Sequence, residues 1–141
     1  MRIASRFSIA VHVLSLLDAD TGEVATSEWM AGSIGVNPVI VRNITGQLRR
    51  AGLVVAHQGV AGANLAKPLS EITLLDVFRA AEVDGELFSM HQNPNPACPI
   101  GATIQTTLEG VFLEAQQALE ARLESTRMDE VVRQMKTQAA S

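Results

Sequence analysis

A mostly helical fold with one small β-hairpin is what this 141-residue sequence predicts, laid out as a winged helix-turn-helix followed by a long helix. Three observations carry that reading. Two apolar-periodic segments flank a tight Gly-Val-Asn-Pro turn at 35–38, a β-branched run with a glycine-bearing turn follows them, and a helical apolar stripe runs from residue 102 to about 125.

The first element places Ile3, Phe7, Ala10, Val11, Leu14 and Leu17 at steps of three and four, which predicts an amphipathic helix. It ends in the turn-forming cluster 18–22. A short second helix starts at Thr26 or Ser27, either of which can cap it, and breaks at Gly32 or Gly35. Asn37 then suits the N-cap of a third helix, with Pro38 at the first helical position, where its missing N–H is not needed. This helix continues to Ala51, with Gly52 as its C-terminal cap. Ile40, Ile44 and Leu48 recur every four residues and are expected to face the core. Residues 53–57 read as a strand, 58–63 as a turn and 64–67 as the returning strand, which makes the wing. Ser70 is expected to cap a fourth helix carrying Ile72, Leu74, Leu75, Phe78 and Ala81. Prolines at 94, 96 and 99 make 83–101 a loop.

The expected organisation is a winged helix-turn-helix over 1–82, a loop over 83–101, a long dimerisation helix with a terminal short helix over 102–136, and a flexible tail over 137–141. In the long helix Ile104, Leu108, Val111, Ala115, Ala118 and Arg122 follow alternating steps of four and three, flanked by Phe112, Leu119 and Leu123. That stripe is wider than a small domain covers by itself. Ile104, Leu108, Val111, Phe112, Ala115 and Leu119 are the expected contacts between two copies of the chain.

Composition narrows the function classes. With 47% apolar and 18% charged residues the chain can bury a core, and no apolar run reaches the ~20 residues that a membrane span needs. The N-terminus lacks the pattern of a signal peptide, and the single cysteine cannot form an internal disulfide. These features predict a cytoplasmic protein without a membrane partner. The formal charge of -4 is divided unevenly: residues 1–67 carry six bases against four acids, and residues 68–141 carry five against eleven. A basic first half can meet phosphates while the acidic half points away. No phosphate-binding glycine loop with a following Lys-Ser or Lys-Thr is present, and His12, His57 and His91 form no catalytic pattern, so an enzyme is not expected.

Several segments resemble the Rrf-two (Rrf2) family of bacterial transcriptional regulators. They are Asn37–Arg42, Leu48–Val54, the glycine-bearing wing with Leu65-Ala66-Lys67 after it, Glu71–Val77, and Asn93–Gly101. The ordered set covers roughly residues 1–125. The resemblance implies a winged helix joined to a long dimerisation helix, with double-stranded DNA as partner and repression as the mode of action. The family includes iron–sulfur sensors, a nitric-oxide-responsive repressor and a regulator of cysteine metabolism. Its cluster-binding members carry three cysteines around the loop and the start of the long helix, where this chain has Cys98 alone. A thiolate-held cluster takes several cysteines, so no cofactor is expected. In the wing, Gln58 stands where the family often has arginine, and Ala63 replaces the second glycine of a pair.

A major groove admits one α-helix, whose first residues usually reach base edges. Asn37, Val39, Arg42 and Asn43 hold that position here, with Arg42 suited to guanine and Asn43 to adenine. Otherwise these residues simply solvate a surface helix. Arg49 and Arg50 can meet phosphates or cap the last carbonyls. Ser5 and Arg6 at the first helix, and Thr26 and Ser27 at the second, can hold phosphate at helix N-termini. His57 and Gln58 in the wing are further DNA-binding candidates, whereas Trp29 reads as core rather than as a stacking platform. Cys98 is either a thiol-based signal site or a small residue without chemistry. His91 and Cys98 alone fall short of a zinc ligand set, so no metal is assigned. The rival to a DNA reader is a winged-helix module that binds another protein through the acidic second half.

Overall fold

The computed structural model describes residues 3–19, 21–81, 95 and 97–140. Among the described residues six α-helices and one two-stranded hairpin follow in order: α1 Ile3–Asp18, α2 Ser27–Ile34, α3 Pro38–Arg50, β1 Val54–Val55, β2 Asn64–Leu65, α4 Leu74–Ala81, α5 Pro99–Glu124 and α6 Met128–Ala139, with a 3-10 turn at Leu69–Glu71 before α4. Helices α1, α2, α3 and α4 pack around Leu14, Met30, Ile44, Leu48 and Val77, which are almost wholly removed from solvent. Phe7 meets Phe78 edge to face at 5.6 Å, joining α1 to α4.

Local chemistry fixes each boundary of the helix-turn-helix. Thr26 caps α2 by accepting the Trp29 N–H at 3.1 Å. Gly35 ends the helix in the left-handed region, at φ 83, which favours a residue without Cβ. Two residues later Asn37 accepts the Val39 N–H at 2.8 Å, and Pro38 opens α3. At the far end Gly52 (φ 79) donates to the Arg49 carbonyl and Leu53 to the Leu48 carbonyl, each at 3.0 Å. That pair of bonds is a Schellman stop, and the buried side chains of Leu48 and Leu53 supply its apolar contact.

The structure corrects several sequence expectations. Ile40 does not face the core; Val41 does, with Ile44 and Leu48, while Ile40 is 40% exposed. At 3.6 residues per turn the steps 41–44–48 follow one line, and strict steps of four from 40 drift off it. The ladder of the wing is shorter than the expected strands 53–57 and 64–67: Val54 pairs with Leu65 and Val55 with Asn64. Ser70 lies in the 3-10 turn, and Thr73 caps α4 instead. Its Oγ1 accepts the Asp76 N–H at 3.1 Å and its own N–H donates to Asp76 Oδ2 at 3.0 Å, a reciprocal capping box. The long helix begins at Pro99 rather than 102, because proline is at home in a first turn and Cys98 takes the cap position. The tail expected over 137–141 is helical through Ala139, where the Thr137 hydroxyl bonds the Arg133 carbonyl at 3.0 Å.

Helix α6 returns to the first half of the chain. Met128 is fully buried, its N–H donates to the Ile72 carbonyl at 2.8 Å, and Leu74 N–H donates to the Thr126 carbonyl at 2.9 Å. An antiparallel bridge between Thr73 and Arg127 completes this junction. The chain either side of α5 is thereby tied into one body.

Candidate nucleic-acid interface

One face of α3 is built from Val39, Arg42, Asn43, Gly46, Arg49 and Arg50, since these residues cluster on the side opposite Val41, Ile44 and Leu48. Val39, Arg42, Asn43, Arg49 and Arg50 are exposed and Gly46 is half-buried. Two base-reading candidates and two end-of-helix arginines therefore point the same way, with an apolar side chain at the leading end. A glycine inside a helix costs about 1 kcal/mol relative to alanine. At Gly46 it leaves the middle of the exposed face low, so that another backbone can come close.

A groove of roughly 410 Å³ runs beside this face, between α3, the start of α2 and the wing. Thr26, Ser27, Arg42 and Arg49 line it together, so four of the expected contacts share one site. The wing is docked on the segment before α2. The Ala63 N–H donates to the Ala25 carbonyl at 3.3 Å, and a Cβ on Gly62 (φ 86) would stand 2.8 Å from the Val24 side chain. The remaining glycine of the altered pair therefore suits its left-handed backbone conformation, and a side chain there would have to push Val24 aside. His57 and Gln58 are exposed at the hairpin turn, where Val60 N–H closes on the His57 carbonyl at 3.1 Å.

Other candidates are differently placed. Asn37 and Thr26 both use their side chains to cap helices. Ser5 is exposed. Arg6 donates to the Gln47 side chain at 2.6 Å and to the Ala81 carbonyl at 3.3 Å, tying α1 to α3 and α4. Trp29 is half-buried against the core, in keeping with its reading as a packing residue. A residue absent from the expected set joins the site: Glu28, whose carboxylate pairs with Arg42 at 3.1 Å. Its first-turn position in α2 was visible in the sequence, but the pairing across fourteen residues carries no periodic signal.

The second candidate region is α5. Leu108, Phe112, Gln116, Leu119 and Leu123 are half-buried, while Ile100, Val111, Ala115 and Ala118 form an exposed line beside them. The wide stripe is thus shared between this chain's own packing, where α5 rests on α4, and an open apolar shoulder. Of the expected interface residues, Ile104, Leu108, Phe112 and Leu119 are half-buried in the single chain, whereas Val111 and Ala115 are exposed.

A family model described as Rrf2, iron-dependent transcriptional regulator, matches residues 3–134. The chain belongs to the Rrf2 family. YwnA of Bacillus subtilis, which carries an HTH-type transcriptional regulator designation, is 42% identical over 130 residues, spanning 92% of this chain and 96% of its own. A crystal structure described as that of a candidate DNA-binding protein is similar at a TM-score of 0.74 and 37% identity, covering 90% of this chain and 98% of the other. The oxidised form of Staphylococcus aureus CymR, at 19% identity and a TM-score of 0.66, shares the fold over 94% of this chain and 96% of its own. This Rrf2 chain is accordingly a winged-helix transcriptional regulator and not an enzyme.

The family description names iron. This Rrf2 chain has one cysteine, and among the described residues no three His, Cys, Asp or Glu side chains come together to hold a metal. His91 lies outside the described residues. One thiolate does not fit a cysteine-held cluster. Cys98 has a different chemistry available. The backbone N–H groups of Gly101, and next Ile100, favour its thiolate and hold the thiol below its ordinary value, against a small opposing effect of burial. A depressed thiol carries more thiolate near neutrality. Alkylation of Cys98 by iodoacetamide is therefore expected to reach half its maximal rate at a lower pH in the folded protein than in the urea-unfolded chain. Coincident pH profiles would show that the helix start does nothing to this thiol. Among the described residues, no helix is long and apolar enough to cross a membrane.

Proposed function

We propose that this Rrf2 chain is a homodimeric, sequence-specific DNA-binding repressor, in which the exposed face of α3 enters the major groove of double-stranded DNA. The single observation behind this reading is that Val39, Arg42, Asn43, Arg49 and Arg50 emerge exposed on one side of a helix whose opposite side is anchored in the core. Arg42 reads guanine through two parallel N–H bonds, Asn43 reads adenine, and Val39 meets a thymine methyl. Arg49 and Arg50 reach phosphates, and His57 and Gln58 bring the wing against the backbone. Thr26 and Ser27, at the N-terminal end of α2, offer a third phosphate contact.

Two copies joined along the exposed shoulder of α5 would read a roughly palindromic operator, with half-sites about one helical turn, or a multiple, apart. Such a protein works in the cytoplasm, needs no cysteine-held cluster, and answers to a signal that changes the spacing of its two reading heads. Oxidation of Cys98 at the start of α5 is one such signal. Repression rests on likeness to the family alone.

The test is binding to a duplex enriched from genomic fragments, compared with a scrambled duplex of equal length, across a range of salt. Affinity should fall steeply as salt rises. Arg42→Ala should lower the preference for the enriched duplex by about tenfold or more, while Arg49→Ala weakens both duplexes alike and reduces the salt slope by about one. Salt-insensitive binding, or no enriched duplex at all, would sink the proposal and favour a protein partner.

A further inference from the structure

A carboxylate in a groove that faces a polyanion is an anomaly, and Glu28 is the sole one among the described residues lining this groove. It stands in the first turn of α2 and meets Arg42 NH1 at 3.1 Å, with both side chains largely open to solvent. The fold gains little from this contact, because exposed ion pairs are weak and Thr26 already caps α2. For raw affinity the charge is a handicap, since it repels phosphates and offsets part of the attraction that Arg42 provides.

We infer that Glu28 is a specificity-determining residue that keeps Arg42 a reader of bases and stops it serving as a phosphate clamp; the inference rests on α3 entering the major groove. Two physical effects act together. The bond through NH1 biases a long, freely rotating side chain toward one placement before DNA arrives, leaving the Nε and NH2 side of the guanidinium for O6 and N7 of a guanine. The negative charge also penalises any arrangement in which a phosphate takes the place of that carboxylate beside Arg42. Glu28 thus weakens binding to arbitrary sequence and sharpens the choice among sequences, a repulsive element acting beside the attractive one.

Glu28→Gln removes the charge at nearly constant shape and tests the assignment with the same enriched and scrambled duplexes. The scrambled duplex should bind several-fold more tightly, and the preference for the enriched one should fall about tenfold. In an Arg42→Ala background, Glu28→Gln should still tighten scrambled binding yet leave the preference unchanged. Melting temperatures confirm that each variant is folded. Equal weakening of both duplexes would make Glu28 a structural residue of α2, and unchanged binding to both would remove it from the interface. If the unaltered protein shows no preference that Arg42→Ala diminishes, the placement of α3 has failed and this assignment falls with it. If that preference exists and Glu28→Gln preserves it, the role of Glu28 alone is overturned.

Discussion

Replacing Val111 with glutamate should give a folded protein that sediments as a monomer of 15.1 kDa and has lost at least a hundredfold in affinity for its enriched duplex. Val111 is 55% exposed in the single chain and sits on the line with Ile100, Ala115 and Ala118, so the isolated fold tolerates a charge there. If two copies join along this shoulder, each glutamate is drawn out of water against an apolar surface that offers it no partner. That costs several kcal/mol, enough to dissociate a dimer of ordinary strength. Affinity then falls because the second reading head no longer benefits from the first being bound. Leu113→Glu is the control: Leu113 is 58% exposed but lies on the opposite, polar side of α5, among Gln117 and Glu124. It should remain dimeric and bind as before. Monomeric behaviour of the unaltered protein would overturn the dimer itself, and dissociation by Leu113→Glu but not by Val111→Glu would place the interface elsewhere.

What the sequence made legible follows the range of the interactions involved. The turn at 35–38 was readable because its Gly, Asn and Pro each answer a local requirement: a left-handed φ, a side-chain cap and a free N–H position. The stop at Gly52 was equally local. The α4 cap was readable too, in Thr73-Leu-Leu-Asp76, yet Ser70 competed for it as the nearer capping residue. Periodicity found α5 but could not divide its stripe between the part that packs on α4 and the part left as an open apolar shoulder, because both are built from the same residue types. Contacts of long sequence separation left no trace at all. The pairing of Glu28 with Arg42, the clamp from Arg6 to Gln47 and Ala81, and the bridge from Thr73 to Arg127 each join residues whose types alone do not announce a partner. For the interface this mattered most at Glu28, since an acidic first-turn residue has a sufficient local explanation in the dipole of α2.

The face assignment of α3 yields the largest expected effect on stability. Leu48 is fully buried, packs in the cluster with Ile44 and Val41, and shares the helix stop with Leu53. Leu48→Ala leaves a cavity that the capped end of α3 cannot easily close, and should cost about 2–5 kcal/mol. In a domain of this size that is about 10 °C or more in melting temperature. Ile40→Ala removes a comparable side chain from a position that is 40% exposed, and should cost less than about 1 kcal/mol. Its consequence belongs to binding instead, because Ile40 borders the face that carries Val39 and Asn43 and can shield a base edge from water. Urea unfolding of the two variants separates these outcomes without reference to DNA. Equal destabilisation would mean that α3 is rotated about its axis so that Ile40 joins the core, as strict steps of four along the sequence suggest.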